Sequence, residues 1–211
     1  GGIYGKAMRN GLWSLKTVNI RDYADDKHKT VDDTVFGGGS GMLMKPDIVA
    51  NSLDKNISKG EKIFYLSPKG KKFNQSFANS LSKQNGINLI CGHFEGVDDR
   101  LLSTRNIEEI SIGDYVLSGG ETAAFVILDA VLRLIPGVLG NKDSIKDETF
   151  ENSLLEYPQF TKPKIWEGKS VPDVLFSGDH AKIKSWRLSQ SEDITRRQRP
   201  DLWEKYLKDK K

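Results

Sequence analysis

Cys91-Gly92-His93-Phe94-Glu95-Gly96 and, shortly after it, Ser111-Ile112-Gly113-Asp114-Tyr115-Val116-Leu117-Ser118-Gly119-Gly120-Glu121 are two glycine-punctuated loops beside apolar strand candidates. Glycine just past a strand lets backbone amides and carbonyls approach a ligand with no Cβ in the way. In open α/β sheets, ligands bind in loops at the carboxyl ends of strands. Two such loops so close in sequence predict one shared pocket. Taken alone, either is also readable as an ordinary glycine turn.

Around that centre, the chain alternates strand and helix patterns. Leu15–Ile20 alternates and is rich in β-branched residues, which predicts a strand. Lys45–Leu53 carries Ile48, Val49 and Leu53 behind Pro46, a short helical pattern. Lys62–Leu66 is a buried-strand run closed by Ser67-Pro68-Lys69-Gly70. Phe73, Phe77 and Leu81 then predict a helix over Phe73–Lys83. Asn88–Cys91 and Tyr115–Leu117 are the next strand candidates. Glu121–Leu134 is apolar on most faces, as in a helix buried within a domain or a dimer interface, and Ile135-Pro136-Gly137 stops it. Near-continuous apolar strands alternating with helices predict an α/β fold with a mostly parallel, helix-covered sheet.

Residues 1–140 form that domain, 141–154 read as a polar interdomain linker, and 155–211 as a small helical domain. In the last part, Asp179 caps a helix from His180 to about Gln190, with Ile183 and Trp186 inward, and Asp201–Lys208 forms a final helix.

Composition excludes several classes. With 211 residues, 37% hydrophobic and 29% charged, the chain can pack a core, and wholesale disorder is excluded. No apolar run approaches the ~20 residues of a membrane span, so no membrane partner is expected. No signal-peptide pattern opens the sequence. A single cysteine excludes an internal disulfide, no Cys/His cluster suits zinc, and Cys91 reads as a buried, inert thiol; together these predict a cytoplasmic location. From Leu155 to Lys211, 13 Lys and Arg face 9 Asp and Glu, so the positive excess sits in the last quarter. Such a tail suits nucleic acid, or is simply a solvated basic helix.

Individual constellations narrow the chemistry. Phe36-Gly37-Gly38-Gly39-Ser40-Gly41-Met42 lacks the Gly-Lys-Ser/Thr ending of a phosphate-binding loop, and no Gly-x-Gly-x-x-Gly follows a strand. Three scattered histidines and no Gly-x-Ser-x-Gly argue against a hydrolase triad. Glu95, inside a glycine-bracketed loop, is either a surface carboxylate or an acceptor for the amine edge of a base. Arg133, near the end of the apolar helix, suits either the helix dipole or a site where negative charge develops.

These residues carry a resemblance. Thr30-Val31-Asp32-Asp33, Phe36 to Met44, Tyr65-Leu66-Ser67-Pro68-Lys69-Gly70, Cys91 to Gly96, Ser111 to Glu121, Ile135 to Gly140 and Phe176-Ser177-Gly178-Asp179-His180 run in order along nearly the whole chain. The chain resembles the TrmD family of bacterial tRNA (guanine-N1)-methyltransferases, of the SPOUT class with a trefoil knot. That resemblance implies methyl transfer from S-adenosylmethionine to N1 of the guanosine 3′ of a tRNA anticodon. It implies a cofactor site of Leu66, Ser67, Pro68, Gly92, Gly96, Ile112, Gly113, Asp114, Tyr115, Val116, Leu117, Gly119 and Gly120, with Glu95 holding the target guanine and Arg133 assisting at the reacting centre. It also implies Mg²⁺, a homodimer whose sites use both subunits, and a C-terminal domain that grips tRNA.

Three departures from the family pattern stand out. A strand expected upstream of the region matched by Gly1–Leu12 is not in this sequence. His93 and Phe94 stand where Arg and Tyr are common. The family's general-base Asp falls on Glu148, preceded by Asp147. A non-catalytic RNA-binding protein that kept the fold is therefore the alternative function.

Overall fold

The chain divides into two units, Gly1–Gly140 and Asn141–Lys211, in a computed structural model that describes residues 2–39, 41–139 and 153–210. The first unit opens with helix α1 (Gly2–Arg9), whose Tyr4 hydroxyl donates to the Asp129 carbonyl at 3.3 Å. Eight residues with two glycines carry too little periodicity for a sequence reading to find this helix.

The strand predicted at Leu15–Ile20 does not form. The segment pairs with no strand among the described residues and leads into a 3-10 turn, Ile20–Tyr23, where the Asn19 side chain accepts from the Arg21 amide at 3.1 Å. A β-branched run becomes a strand only where a partner supplies the ladder. Next come the antiparallel strands β1 (Asp32–Thr34) and β2 (Met42–Met44), with Thr34 opposite Met42. Helix α2 (Pro46–Asn56) begins with proline in its first turn and buries Ile48, Val49 and Leu53, the residues whose spacing predicts it.

The sheet that positions the site follows: β3 (Ile63–Lys72), α3 (Gln75–Ser82), β4 (Asn88–Ile90), α4 (Asp99–Thr104), β5 (Glu108–Ser111) and α5 (Gly120–Leu132). All pairings are parallel in the order β4-β3-β5, with Phe64 between Leu89 and Glu108. Side chains alternate across a strand, so β3 feeds two cores. Ile63 and Tyr65 join Met44, Val49, Leu53 and Ile90 on one face, and Phe64 and Leu66 join Leu81, Ile110, Ile127 and Val131 on the other. A strand covered on both faces reads as an unbroken apolar run, which is why Lys62–Leu66 was legible.

The strand predicted at Tyr115–Leu117 is also corrected. The pairing residues are Glu108–Ser111, while Tyr115, Val116 and Leu117 lie exposed in an irregular loop after Gly113, whose φ is +155°. Two leading glutamates hide β5 from any hydrophobic pattern; its place beside β3 makes it a strand.

The second unit contains a two-residue hairpin, β6 (Ile165–Trp166) and β7 (Lys169–Ser170), turned through Glu167 and Gly168, both at positive φ. Helix α6 (His180–Gln198) runs eight residues past its predicted end, and α7 (Pro200–Asp209) follows. Asp179 caps α6, accepting from the Ala181 and Lys182 amides at 3.1 Å each. The α6 extension is anchored by buried Thr195, which donates to the Ser191 carbonyl at 2.6 Å and accepts from the Leu155 amide at 2.8 Å. Among the described residues, no helix is long and apolar enough to cross a membrane.

Candidate active site

An irregularity within β3 and the loops at the carboxyl ends of β4 and β5 meet around one cavity of about 410 Å³. The irregularity is where the β3–β5 ladder breaks between Leu66 and Lys71, which frees Ser67 and Pro68 from pairing in the middle of the strand. Ser67 is buried there, and its hydroxyl accepts from the Lys69 amide at 3.2 Å. The loop after β4 is drawn tight onto the Tyr65 ring: a Cβ at Gly92 would lie 2.7 Å from that ring, and one at Gly96 would lie 2.7 Å from its hydroxyl. Burial pushes the Tyr65 phenol up, against the opposing effect of a backbone hydrogen bond at Val97, so it stays neutral as packing material.

The loop after β5 is folded on itself and then tied to the loop after β4. The Ser111 hydroxyl accepts from the Gly113 amide at 3.3 Å and donates to its carbonyl at 3.1 Å, and the Tyr115 hydroxyl donates to the Ile112 carbonyl at 3.4 Å. Gly120 donates to the Gly92 carbonyl at 3.0 Å, and His93 pairs with Gly119. A Cβ at Gly120 would stand 2.7 Å from the Cys91 Cα, so α5 can start against this loop only with glycine. His93 Nε2 lies 3.1 Å from the Glu121 carboxylate across the same junction. Cys91 is half-buried behind it, and burial, then the Glu121 charge, pushes its thiol up to about 11.

Most residues expected at the site do line this cavity: Leu66, Ser67, Pro68, Gly92, Glu95, Gly96, Ile112, Gly113, Tyr115, Val116, Leu117, Gly119 and Gly120. Asp114 does not. Its carboxylate lies 3.8 Å from Lys72 Nζ, both well exposed, so it turns toward solvent. Arg133 does not either: it caps the far end of α5, roughly 20 Å along the helix from Gly120. There its charge acts on the Tyr4 phenol, which burial and Asp129 push up to about 12. Glu148 and Asp147 lie outside the described residues.

Leu43 and Val97 join the wall from the hairpin side. No residue-type signal marks them, because they arrive by pairing: the Glu95 amide donates to the Met42 carbonyl at 2.9 Å, and Met44 donates to Gly96 at 2.9 Å. A larger cavity of about 700 Å³ lies along the open edge of β4, walled by Leu15–Arg21 and by Phe125 and Leu128 of α5.

The lining suits a small organic ligand with both apolar and polar parts. Leu66, Pro68, Ile112 and Leu117 offer apolar contact, and the glycines expose backbone amides and carbonyls between them. Those features fit S-adenosylmethionine, whose adenine and charged methionine end need just such a mixture. Among the described residues, no group of three or more His, Cys, Asp or Glu gathers to hold a metal ion.

A parallel α/β sheet whose β3 irregularity and two post-strand loops close on one ligand-sized cavity defines a ligand-binding α/β protein, with the carboxylates of Glu95, Asp99 and Glu109 among the lining residues. Comparison with known proteins makes this specific. The family profile described as tRNA (Guanine-1)-methyltransferase TrmD matches residues 1–205. A curated relative from Pelagibacter ubique (strain HTCC1062), named tRNA (guanine-N(1)-)-methyltransferase, is 73% identical over 207 residues, covering 98% of this chain and 91% of its own. A relative of the same name from Brucella canis is 54% identical over 209 residues, covering 99% and 85%. The chain belongs to the TrmD family.

Proposed function

We propose that the chain transfers a methyl group from S-adenosylmethionine to N1 of the guanosine just 3′ of the anticodon in tRNA. The observation that carries this reading is the convergence of the β3 irregularity and the loops after β4 and β5 on one cavity with Glu95 in its wall. S-adenosylmethionine supplies the electrophilic methyl of its sulfonium. The chain's own residues do the rest. Glycine-lined backbone holds the donor, and Glu95 accepts from the amine edge of the guanine. A carboxylate takes the N1 proton as the base attacks, since protonated N1 is a poor nucleophile. Glu148 is the residue proposed for that step, with Asp147 beside it. Arg133 stabilises negative charge developing on the base.

Three finer features belong to the same reading. The chain path through residues 66–120 forms the trefoil knot of the SPOUT class; the seating of Gly120 against Cys91 and Gly92 supports it. The enzyme works as a homodimer. Phe125 and Val126 leave an apolar face of α5 open at 71% and 45% exposure, and Arg133 is too far from its own cavity to serve it. The C-terminal unit grips tRNA through its exposed basic residues, and the enzyme works in the cytoplasm, where its substrate is.

Calorimetry with S-adenosylmethionine, paired with methyl transfer to unmodified tRNA transcripts, tests the activity. Binding of the donor and methylation at guanine N1 are expected. Loss of both would leave the alternative of a non-catalytic RNA-binding protein.

A further inference from the structure

Phe36 is 95% exposed, the most exposed of the large hydrophobic residues in the described chain. Single exposed hydrophobics are ordinary on a protein surface, but this one has an unusual mount. It opens the tip of the β1–β2 hairpin, ahead of Gly37, Gly38 and Gly39 at φ of +91°, +86° and +138°. A Cβ on any of these three would meet nothing within 4 Å, so the tip stands clear of the rest of the unit. Other residues rarely adopt those angles, so the glycines give the aromatic a mount of its own shape.

The other end of the same loop is fixed at the base-binding residue. Gly41 is packed so closely on Glu95 that a Cβ there would overlap the carboxylate side chain. The Met42 carbonyl takes the Glu95 amide at 2.9 Å, and Thr34 lies opposite Met42 in the ladder. Ladder neighbours are ~5 Å apart and two residues span at most ~7 Å, so Phe36 lies within roughly 12 Å of Met42. A splayed single strand covers that interval in one or two nucleotides. Exposed Phe94, Tyr115, Val116 and Leu117 make the same rim apolar.

We propose that Phe36 is a stacking platform for a tRNA base adjacent to the guanine held at Glu95, and so fixes which nucleotide enters the cavity. This rests on the methyltransferase reading above. Single-stranded bases splayed from an RNA stack on aromatic side chains, which is how such RNA is ordinarily held. The hairpin then couples the neighbouring base to Glu95 through its backbone bonds, so recognition and positioning are one act.

The test compares the full chain with Phe36→Ala, Phe36→Leu and Phe36→Trp. Steady-state kinetics on an unmodified tRNA transcript are read beside the fluorescence of tRNA carrying 2-aminopurine next to the target guanosine. Phe36→Ala and Phe36→Leu should raise KM for tRNA on the order of 10-fold and lose the fluorescence quench, with S-adenosylmethionine affinity unchanged; Phe36→Trp should restore both. Leucine performing as well as phenylalanine overturns the proposal, because a greasy contact would then suffice. Loss of dimers with the quench intact also overturns it, since Phe36 would then touch a second copy. A wild-type chain that quenches yet transfers no methyl group upholds the stacking and sinks the activity instead.

Discussion

At the scale of single residues, glycine and carboxylate positions set what this site can do. Gly120 does not need its unusual freedom of φ; it needs the absence of a side chain. The clash at Gly120→Ala is with the Cys91 and Gly92 backbone, at 2.7 and 3.0 Å, which cannot swing aside. Overpacking of this kind costs about 1–3 kcal/mol. Gly120→Ala should therefore lower the melting temperature and weaken S-adenosylmethionine binding on the order of 10-fold or more, read by calorimetry. Unchanged affinity would mean that the loops after β4 and β5 do not share the ligand. The proton acceptor is decided by kinetics. Glu148→Gln should lower the single-turnover methylation rate on the order of 10²-fold while sparing donor affinity, and Asp147→Asn should be mild. The reverse pattern moves the role to Asp147, and two mild variants move the search to Glu95.

At the scale of elements, α5 carries both the core and the site. Ile127 is wholly buried between Phe64, Leu81 and Ile110. Ile127→Ala should cost about 2–5 kcal/mol in urea unfolding; a cost below ~1 kcal/mol would mean that the helix is not packed on the sheet as described. The start of α7 is held differently. Arg199 hydrogen-bonds the Asp201 carboxylate through two nitrogens at 2.8 and 2.6 Å and holds its pKa down to about 2 from the usual 3.8. A depressed folded value stabilises above the unfolded value, and that stabilisation is lost as pH falls from about 3.8 toward about 2. The pair is solvent-exposed, so its contribution is small and salt-sensitive. Wild type should melt slightly above Asp201→Asn near neutral pH in low salt, and the gap should close in acid. A gap indifferent to pH would assign the difference to something other than this carboxylate.

At the scale of the whole molecule, the length of α5 has a consequence for assembly. Glu95 and Arg133 sit near opposite ends of a helix roughly 20 Å long, so both can serve one reaction only if two chains share each site. Mixing Glu95→Gln subunits with Arg133→Ala subunits tests this. If sites are shared, each mixed dimer has one doubly damaged site and one intact site, and activity should recover to roughly a quarter of wild type after random exchange. No recovery would confine Arg133 to its own subunit. The C-terminal unit is less basic in effect than in composition. Lys182, Arg196, Arg197 and Arg199 each pair with an aspartate nearby, at 3.3, 2.7, 3.3 and 2.6 Å. Phosphate contacts must compete with those partners. Lys184→Ala should therefore lower tRNA affinity and reduce the slope of log affinity against log salt by ~1, and an unaltered slope would remove Lys184 from the contact surface.

Across these scales, the sequence alone determined the parts that repeat a physical pattern. The apolar run at Lys62–Leu66, the proline-led helix at Pro46, the apolar α5 and the glycine loops after β4 and β5 were all legible, because burial, capping and close approach each demand particular residue types. Most of the cavity lining was legible as well, carried by motifs that resemble a known family. Tertiary structure decided what depends on a partner distant in the chain. Glu108–Ser111 became a strand because β3 lay beside it, while Leu15–Ile20, with better strand residues, found no ladder. Asp114 turned away from the cavity and Arg133 stood at the far end of its helix, facts of direction and distance that no spacing of residue types encodes. A backbone hydrogen bond belongs to two segments at once, and one segment's sequence holds only half of it.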